Sequence, residues 1–339
     1  MFYLSSFLSF FLICFICYKC APLTNLVDKP NYRKKHFGDI PLIGGIVIYI
    51  NIFFYIFFYD ISYYFQIIIY TSSILIFLGA IDDSIELGVN FRLIIQLICC
   101  LIVIGSGLVI HNIGDYMFFP KIETGIWSVA FTIFCVMGLT NSFNFIDGID
   151  GLCGGLALTS ISSILLFAYF NDSLIYFYDQ NYLLLICLSI LCFLILNLSK
   201  FSKIFLGDSG SMFLGFLVSW LLIITSQDEM QIIHPILTIW CVTIPVFDII
   251  SVVIRRLLRG INPFKPDRRH IHHLLLELGI NNYIVSLIIV ITAILLNFFG
   301  LMVFISFGPF PSLVTFLILL FLYLIFMVFL SRSIYRIKN

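Results

Sequence analysis

Residues 63–83 read YYFQIIIYTSSILIFLGAIDD, and this stretch decides the fold. From Tyr63 to Ile81 no side chain is charged; Asp82 and Asp83 then follow at once. A helix needs about 20 such residues to cross the roughly 30 Å hydrocarbon core of a bilayer, since each residue adds about 1.5 Å. The run therefore reads as a membrane span that ends on two acids. Similar runs extend over Phe2 to Tyr18, Leu42 to Tyr59, Leu93 to Ile110, Ile126 to Phe143 and Leu152 to Phe170. Others follow over Tyr182 to Leu198, Ser209 to Thr225, Ile236 to Ile254, Tyr283 to Ile305 and Ser312 to Leu330. Together they predict an all-α, polytopic membrane protein of about eleven transmembrane helices. Composition agrees: 61% of the 339 residues are hydrophobic and 11% charged, where a soluble domain has about a quarter charged. No soluble core hides that much apolar surface, so lipid must cover it.

Charge placement sets the expected orientation. If the N-terminus lies outside, the connections beginning at Lys19, Asp82, Asn144, Ser199 and Arg255 and the tail from Ser331 are cytoplasmic. They carry every Lys and Arg except Lys121. The positive-inside bias thus places the N-terminus outside and the C-terminus in the cytoplasm. The outer connections, with Asp60, Asp115, Glu123, Asp172, Asp179, Asp228 and Glu229, read as plain turns. Phe2 to Cys17 has no basic start and no small-residue cleavage site, which favours a retained first helix over a signal peptide. Cys14 and Cys17 form a C-x-x-C with no His or second pair nearby, so the cysteines read as apolar helix residues. With no repeat and no linker, residues 1–339 read as one integral membrane domain. The formal net charge is zero and gives no sign of a nucleic-acid partner.

Five segments on the cytoplasmic side hold nearly all the unusual polar residues. In the first, Asp82 and Asp83 repel one another unless a cation or proton lies between them, so a metal, a substrate proton or Arg92 is expected close by; a solvated helix end is the plain alternative. In the second, Asn144, Asp147 and Asp150 lie among Gly148, Gly151, Gly154 and Gly155. A spacing of three cannot keep all three on one narrow helical face, and the glycines suggest a turn where backbone approaches a ligand. The third, Phe205-Leu206-Gly207-Asp208-Ser209-Gly210-Ser211, reads as a helix entrance whose N–H groups suit phosphate and whose Asp208 offers Mg²⁺ a hard oxygen. Asp208 as a simple N-cap is the alternative. The fourth is Asp248, an intramembrane acid seven and eight residues before Arg255 and Arg256, either ion-paired or a direct ligand. The fifth runs from Asn262 to His273 and includes Arg268, His270, His272 and His273, residues that suit phosphate. A zinc site lacks supporting thiolates or an H-E-x-x-H helix. Acids for a metal and basic groups for phosphate, all at one membrane face, point to phosphoryl transfer involving a lipid. A transporter of a phosphorylated substrate would instead place its polar groups near the bilayer midplane.

In order along the chain, Asp82-Asp83, Asn141-Ser142-Phe143-Asn144 with Asp147 to Gly151, Gly207 to Ser211 and Pro266 to His273 resemble the motifs of a known family. It is that of the polyprenyl-phosphate N-acetylhexosamine-1-phosphate transferases, glycosyltransferase family 4. The resemblance covers nearly the whole chain. It implies transfer of sugar 1-phosphate from a UDP-amino sugar to a polyprenyl phosphate, with UMP released, as the first membrane step of a cell-surface glycan. It further implies Mg²⁺, with Mn²⁺ as a substitute, and a homodimer in the bacterial inner membrane with its active site on the cytoplasmic face. By matching motif positions, Asn144 and Asp208 would hold the metal, Phe205 would stack on uracil, and Asp147 and Asp150 would bind the nucleotide. Asp82, Asp83 and Arg92 would handle the acceptor phosphate, one aspartate removing its proton. Arg268, His270, His272 and His273 would bind diphosphate and sugar. Glu86 stands where the family often has Asp. Arg268-Arg269-His270 is more similar to the N-acetylglucosamine type than to the muramoyl-pentapeptide type, which remains the alternative donor.

Overall fold

A computed structural model of the chain describes residues 2–29, 38–117, 120–171, 173, 178–200, 202–227, 231–258, 260 and 270–338. It is helical almost throughout. The helices are α1 (Phe2–Cys20), α2 (Gly44–Tyr55), α3 (Tyr63–Ile85), α4 (Val89–Gly105), α5 (Ser128–Ile146), α6 (Leu152–Phe170) and α7 (Gln180–Asn197). They continue with α8 (Gly207–Gln227), α9 (Pro235–Cys241), α10 (Thr243–Leu257), α11 (Ile271–Glu277), α12 (Asn282–Phe307) and α13 (Pro309–Lys338). Among the described residues the only sheet is the pairing of Val27–Asp28 with Ile40–Pro41. Eight helices are long and apolar enough to cross a bilayer alone, α9 and α10 form a bent pair, and α2 and α4 are shorter apolar helices. Each of the eleven expected spans has its counterpart, and the short α11 is additional.

α8 is the axis of the bundle. Its residues from Ser209 to Ser226 are all buried, among α2, α3, α5 and α6. Apolar burial gives little drive for association between helices already in lipid, so close packing has to supply it. Gly79 of α3 permits that approach: a methyl group there would lie 2.2 Å from the Ser209 Cα. Hydrogen bonds add specificity, as where Asn51 of α2 donates to Ser6 of α1 at 3.0 Å and to Ser189 of α7 at 2.9 Å.

Two expectations need correction. The run from Ile236 to Ile254 is not one straight span but bends by 81° between α9 and α10. Pro245 causes part of this, because it has no N–H for the Cys241 carbonyl four residues earlier. Asn297 of α12 donates to that carbonyl instead at 3.2 Å, and Ser142 donates to the Pro245 carbonyl at 2.8 Å. Nor are the connections at the end away from Asp82 plain turns. Ser62 donates to Asp179 through both its N–H, at 2.9 Å, and its hydroxyl, at 2.6 Å. Gln227 accepts from the N–H groups of His111 and Asn112 at 2.9 and 3.1 Å, and His234 meets Asp115 at 3.2 Å. Loop backbone beside lipid needs such partners because water is scarce there. Asp172, Asp228 and Glu229 lie outside the described residues.

Gly79→Ala should force α3 away from α8 and destabilise the protein by about 1–3 kcal/mol. Gly88→Ala, with open space at its Cα, should leave stability unchanged. Thermal unfolding in detergent distinguishes the two; equal melting temperatures would contradict the packing described.

Candidate functional site

At the end of the bundle opposite Asp179, the close of α3 meets the start of α8. Asp82 is buried; its Oδ2 accepts from Arg92 at 2.7 Å and its Oδ1 from the Leu87 N–H at 2.5 Å. Arg92, in the first turn of α4, also stands 3.7 Å from Asp208. The Asp83 carboxylate faces the other way. Its two oxygens accept from the N–H groups of Asp208, at 2.9 Å, and Ser209, at 3.3 Å. Gly207 sits between with φ +76°, and a Cβ there would lie 2.6 Å from Asp83 Oδ2, so glycine satisfies both the backbone and the contact. This corrects the expectation for the helix entrance: its N–H groups are engaged by an acid of α3 rather than left open for phosphate. It also means that Asp208 is not the cap; the cap comes from another helix.

Asn144 lies in the last turn of α5 and donates to Asp208 Oδ1 at 2.8 Å and to the Ser211 hydroxyl at 2.9 Å. Asp147 follows the helix, in the turn that Gly151 closes by donating its N–H to Asn197 at 2.7 Å. Burial pushes the Asp147 carboxyl well above the usual range, and the charges of Asp208, Asp83 and Asp150 push the same way. Asp150 is ion-paired with Lys203 at 2.6 Å, and the Lys203 ammonium lies 5.3 Å over the Phe205 ring. Phe205 itself is fixed by backbone: its N–H donates to the Pro41 carbonyl at 2.9 Å and its carbonyl accepts from the Gly44 N–H at 2.8 Å. A cavity of about 40 Å³ opens beside Arg92 and Asn144, with Gln96, Asn141, Phe145 and Met212 in its walls.

The histidines enter from α11. His270 and His272 are buried with near-parallel rings 6.0 Å apart, and His272 meets His273 at 4.1 Å. His272 packs on Gly148 of the α5–α6 turn, and neither of its ring nitrogens has a hydrogen-bond partner. Burial lowers its pKa to about 3, with His273 adding to the effect, so it is neutral near pH 7. His270 Nδ1 lies 2.7 Å from Asp248 Oδ2. Asp248 had Arg255 and Arg256 as its nearest basic groups in sequence; in space it accepts from the Ile271 N–H at 3.0 Å and from Tyr323 of α13 at 3.2 Å. Arg268 lies outside the described residues.

The structure thus brings Asp82, Asp83, Arg92, Asn144, Asp147 and Asp208 into one cluster, with Asp150 and Phe205 on one flank and the histidines against the α5–α6 turn. Sequence reasoning missed Lys203 and Tyr323. Lys203 stands two residues before Phe205 and could have been noticed; Tyr323 sits mid-span in α13 and carried no signal. The cluster suits a hard divalent cation, because carboxylate and amide oxygens predominate and Arg92 offsets only part of their charge. Among the described residues no three acids, histidines or cysteines gather closely enough to cage an ion alone. An ion held here would have to take some of its oxygens from a ligand, as Mg²⁺ commonly does.

Fold and site define a multi-pass membrane protein with a joined acidic, basic and histidine centre at one end of a helical bundle. The chain belongs to glycosyl transferase family 4, whose family model matches residues 65–226. The undecaprenyl-phosphate alpha-N-acetylglucosaminyl 1-phosphate transferase of Escherichia coli (strain K12) is 35% identical over 333 residues, 94% of this chain and 88% of that protein. The proteins of the same name from Yersinia pestis and Haemophilus influenzae are 34% and 32% identical. They cover 84% and 82% of this chain, and 79% of each relative is matched.

A neutral, buried His272 makes stability pH-dependent. The unfolded chain protonates this histidine below its ordinary value near 6.5, whereas the folded chain does so only near 3, so stability falls as pH drops through that window. His272→Gln should flatten the fall in melting temperature between pH 7.5 and 5. An unchanged slope would show that His272 is protonated in the folded protein.

Proposed function

We propose that this chain transfers N-acetylglucosamine 1-phosphate from UDP-N-acetylglucosamine to undecaprenyl phosphate, yielding undecaprenyl-diphosphate-N-acetylglucosamine and UMP. The observation that carries the reading is the joining of Asp82, Arg92, Asp208 and Asn144 by direct bonds at one end of the bundle, in a chain matched along most of its length by transferases of that name. An oxygen of the lipid phosphate attacks the phosphorus bearing the sugar, and the bond to the bridging oxygen breaks, sending that oxygen out with UMP. A phosphate monoester has its second pKa near 6, so the acceptor is largely dianionic at pH 7 and the aspartates are not needed mainly as bases. Both are already engaged, Asp82 by Arg92 and Asp83 by the start of α8.

Arg92 is the group for the acceptor phosphate, standing between Asp82 and Asp208. Asp208 and Asn144 would hold Mg²⁺ or Mn²⁺; bound there, the ion neutralises the diphosphate, and positioning with charge neutralisation supplies most of the acceleration in phosphoryl transfer. The Phe205 face and the Asp150–Lys203 pair take the uridine. His272, uncharged, and His270 and His273 offer hydrogen bonds to diphosphate and sugar, joined by Arg268. The positive-inside bias supports a cytoplasmic face for this end and residence in a bacterial inner membrane. The single 1–339 domain rests on the sequence reading and the homodimer on the resemblance alone.

Purified protein given Mg²⁺, UDP-N-acetylglucosamine and undecaprenyl phosphate should release UMP. Asp208→Asn replaces an anionic ligand at nearly equal volume and should lower kcat by about 10²-fold or more while the protein stays folded. A wild-type rate in this variant would remove Asp208 from the reaction centre, and no UMP with any UDP-amino sugar would refute the activity.

A further inference from the structure

Asp248 and Tyr323 have no part in the chemistry described above, yet both are joined to His270, Asp248 directly and Tyr323 through Asp248. Asp248 is 1% exposed and sits on α10, with α12 and α13 packed alongside. An acid at this depth is expensive unless its oxygens are satisfied. Here three donors from three parts of the chain converge on it: the His270 ring, the Ile271 backbone at the start of α11, and the Tyr323 hydroxyl from α13. None of these groups is near it in sequence.

A carboxylate accepts, so the ring nitrogen facing it, Nδ1, is the one that carries the proton. Nε2 is then left as the free position of the imidazole, and it is buried with no partner. The ring is held on its faces as well, by Phe145 at 5.4 Å and His272 at 6.0 Å. Phe145 follows Asn144 and lines the cavity beside Arg92. A buried nitrogen with one defined tautomer, on a ring packed against the Phe145 that lines that cavity, is an acceptor prepared for a donor atom of a ligand.

We propose that Asp248, supported by Tyr323, is a positioning residue: it fixes the tautomer and orientation of His270 so that the Nε2 lone pair accepts from a hydroxyl or the acetamido N–H of the donor's sugar. This deepens the transferase reading and rests on it. Asp248 does not touch substrate; its effect passes entirely through the His270 ring. Asn at this position is nearly isosteric but can offer an N–H to Nδ1, which would move the ring proton to Nε2 and set a donor against the ligand's own donor. Losses of about 10- to 100-fold follow when such an outer partner of a metal-binding histidine is changed, and a loss of that order is expected here.

The test is a double-mutant cycle on the purified full chain, read as kcat/KM for UDP-N-acetylglucosamine from UMP release. Asp248→Asn should lower it about 10- to 100-fold. His270→Gln, which removes the ring and its tautomer, should also lower it. The double variant Asp248→Asn with His270→Gln should be no slower than His270→Gln alone, within about twofold. Tyr323→Phe removes a single donor and should cost a few-fold, a loss that also vanishes in the His270→Gln background; it decides the matter if Asp248→Asn fails to fold. Multiplying losses in either double variant, or a wild-type rate for Tyr323→Phe together with Asp248→Asn, would overturn the proposal. Because wild-type UMP release is measured first, a failed cycle in an active enzyme refutes only this inference, whereas an inactive wild type refutes the transferase reading.

Discussion

The N–H groups that open α8 end on the carboxylate of Asp83, and the rest of the site depends on that contact. Every helix leaves its first N–H groups without intrahelical partners, and within a bilayer water cannot supply them. A side chain just ahead of the helix can do this, as His234 does for α9 and Asn281 for α12. α8 takes an acid from α3, and so cannot form its entrance without bringing the end of α3 against it. Asp82 comes with its neighbour, Arg92 follows as its partner, and Asp208 and Asn144 complete the group. The approach is close enough that Gly79 and Gly207 have no room for a side chain.

This arrangement explains why adjacent acids can stay together at the edge of a membrane. Asp82 and Asp83 are consecutive, yet they face different partners, a guanidinium and a helix start. Their mutual repulsion is offset locally, while the cluster as a whole keeps a surplus of negative charge. That surplus is the physical reason to expect a cation. The far end of the bundle is organised on a different principle: Asp179, Gln227 and His234 tie loops and helix ends to one another.

Much of this was legible in sequence because lipid imposes simple rules. Apolar runs located the helices of the bundle, eight of them long enough to cross a bilayer alone, and acids at their ends identified its mouth. The turn between α5 and α6 could be read from Gly148 and Gly151 beside Asn144, Asp147 and Asp150. Contacts between distant segments could not be read in this way. Asp83 as the cap of α8, Tyr323 as a partner of Asp248 and Asn297 as the donor to the broken α9–α10 segment each depend on a helix crossing that no local pattern encodes. The bend itself had a local sign in Pro245, but proline is tolerated in membrane helices and does not by itself predict 81°.

The central claim is that these acids surround one divalent ion together with the donor's diphosphate. Electron paramagnetic resonance of Mn²⁺ titrated into the purified protein with UDP-N-acetylglucosamine present measures it directly. The account predicts one bound ion per chain, lost in Asp208→Asn and retained when Asp115, at the far end, is changed to Asn. Unaltered Mn²⁺ binding in Asp208→Asn would contradict it.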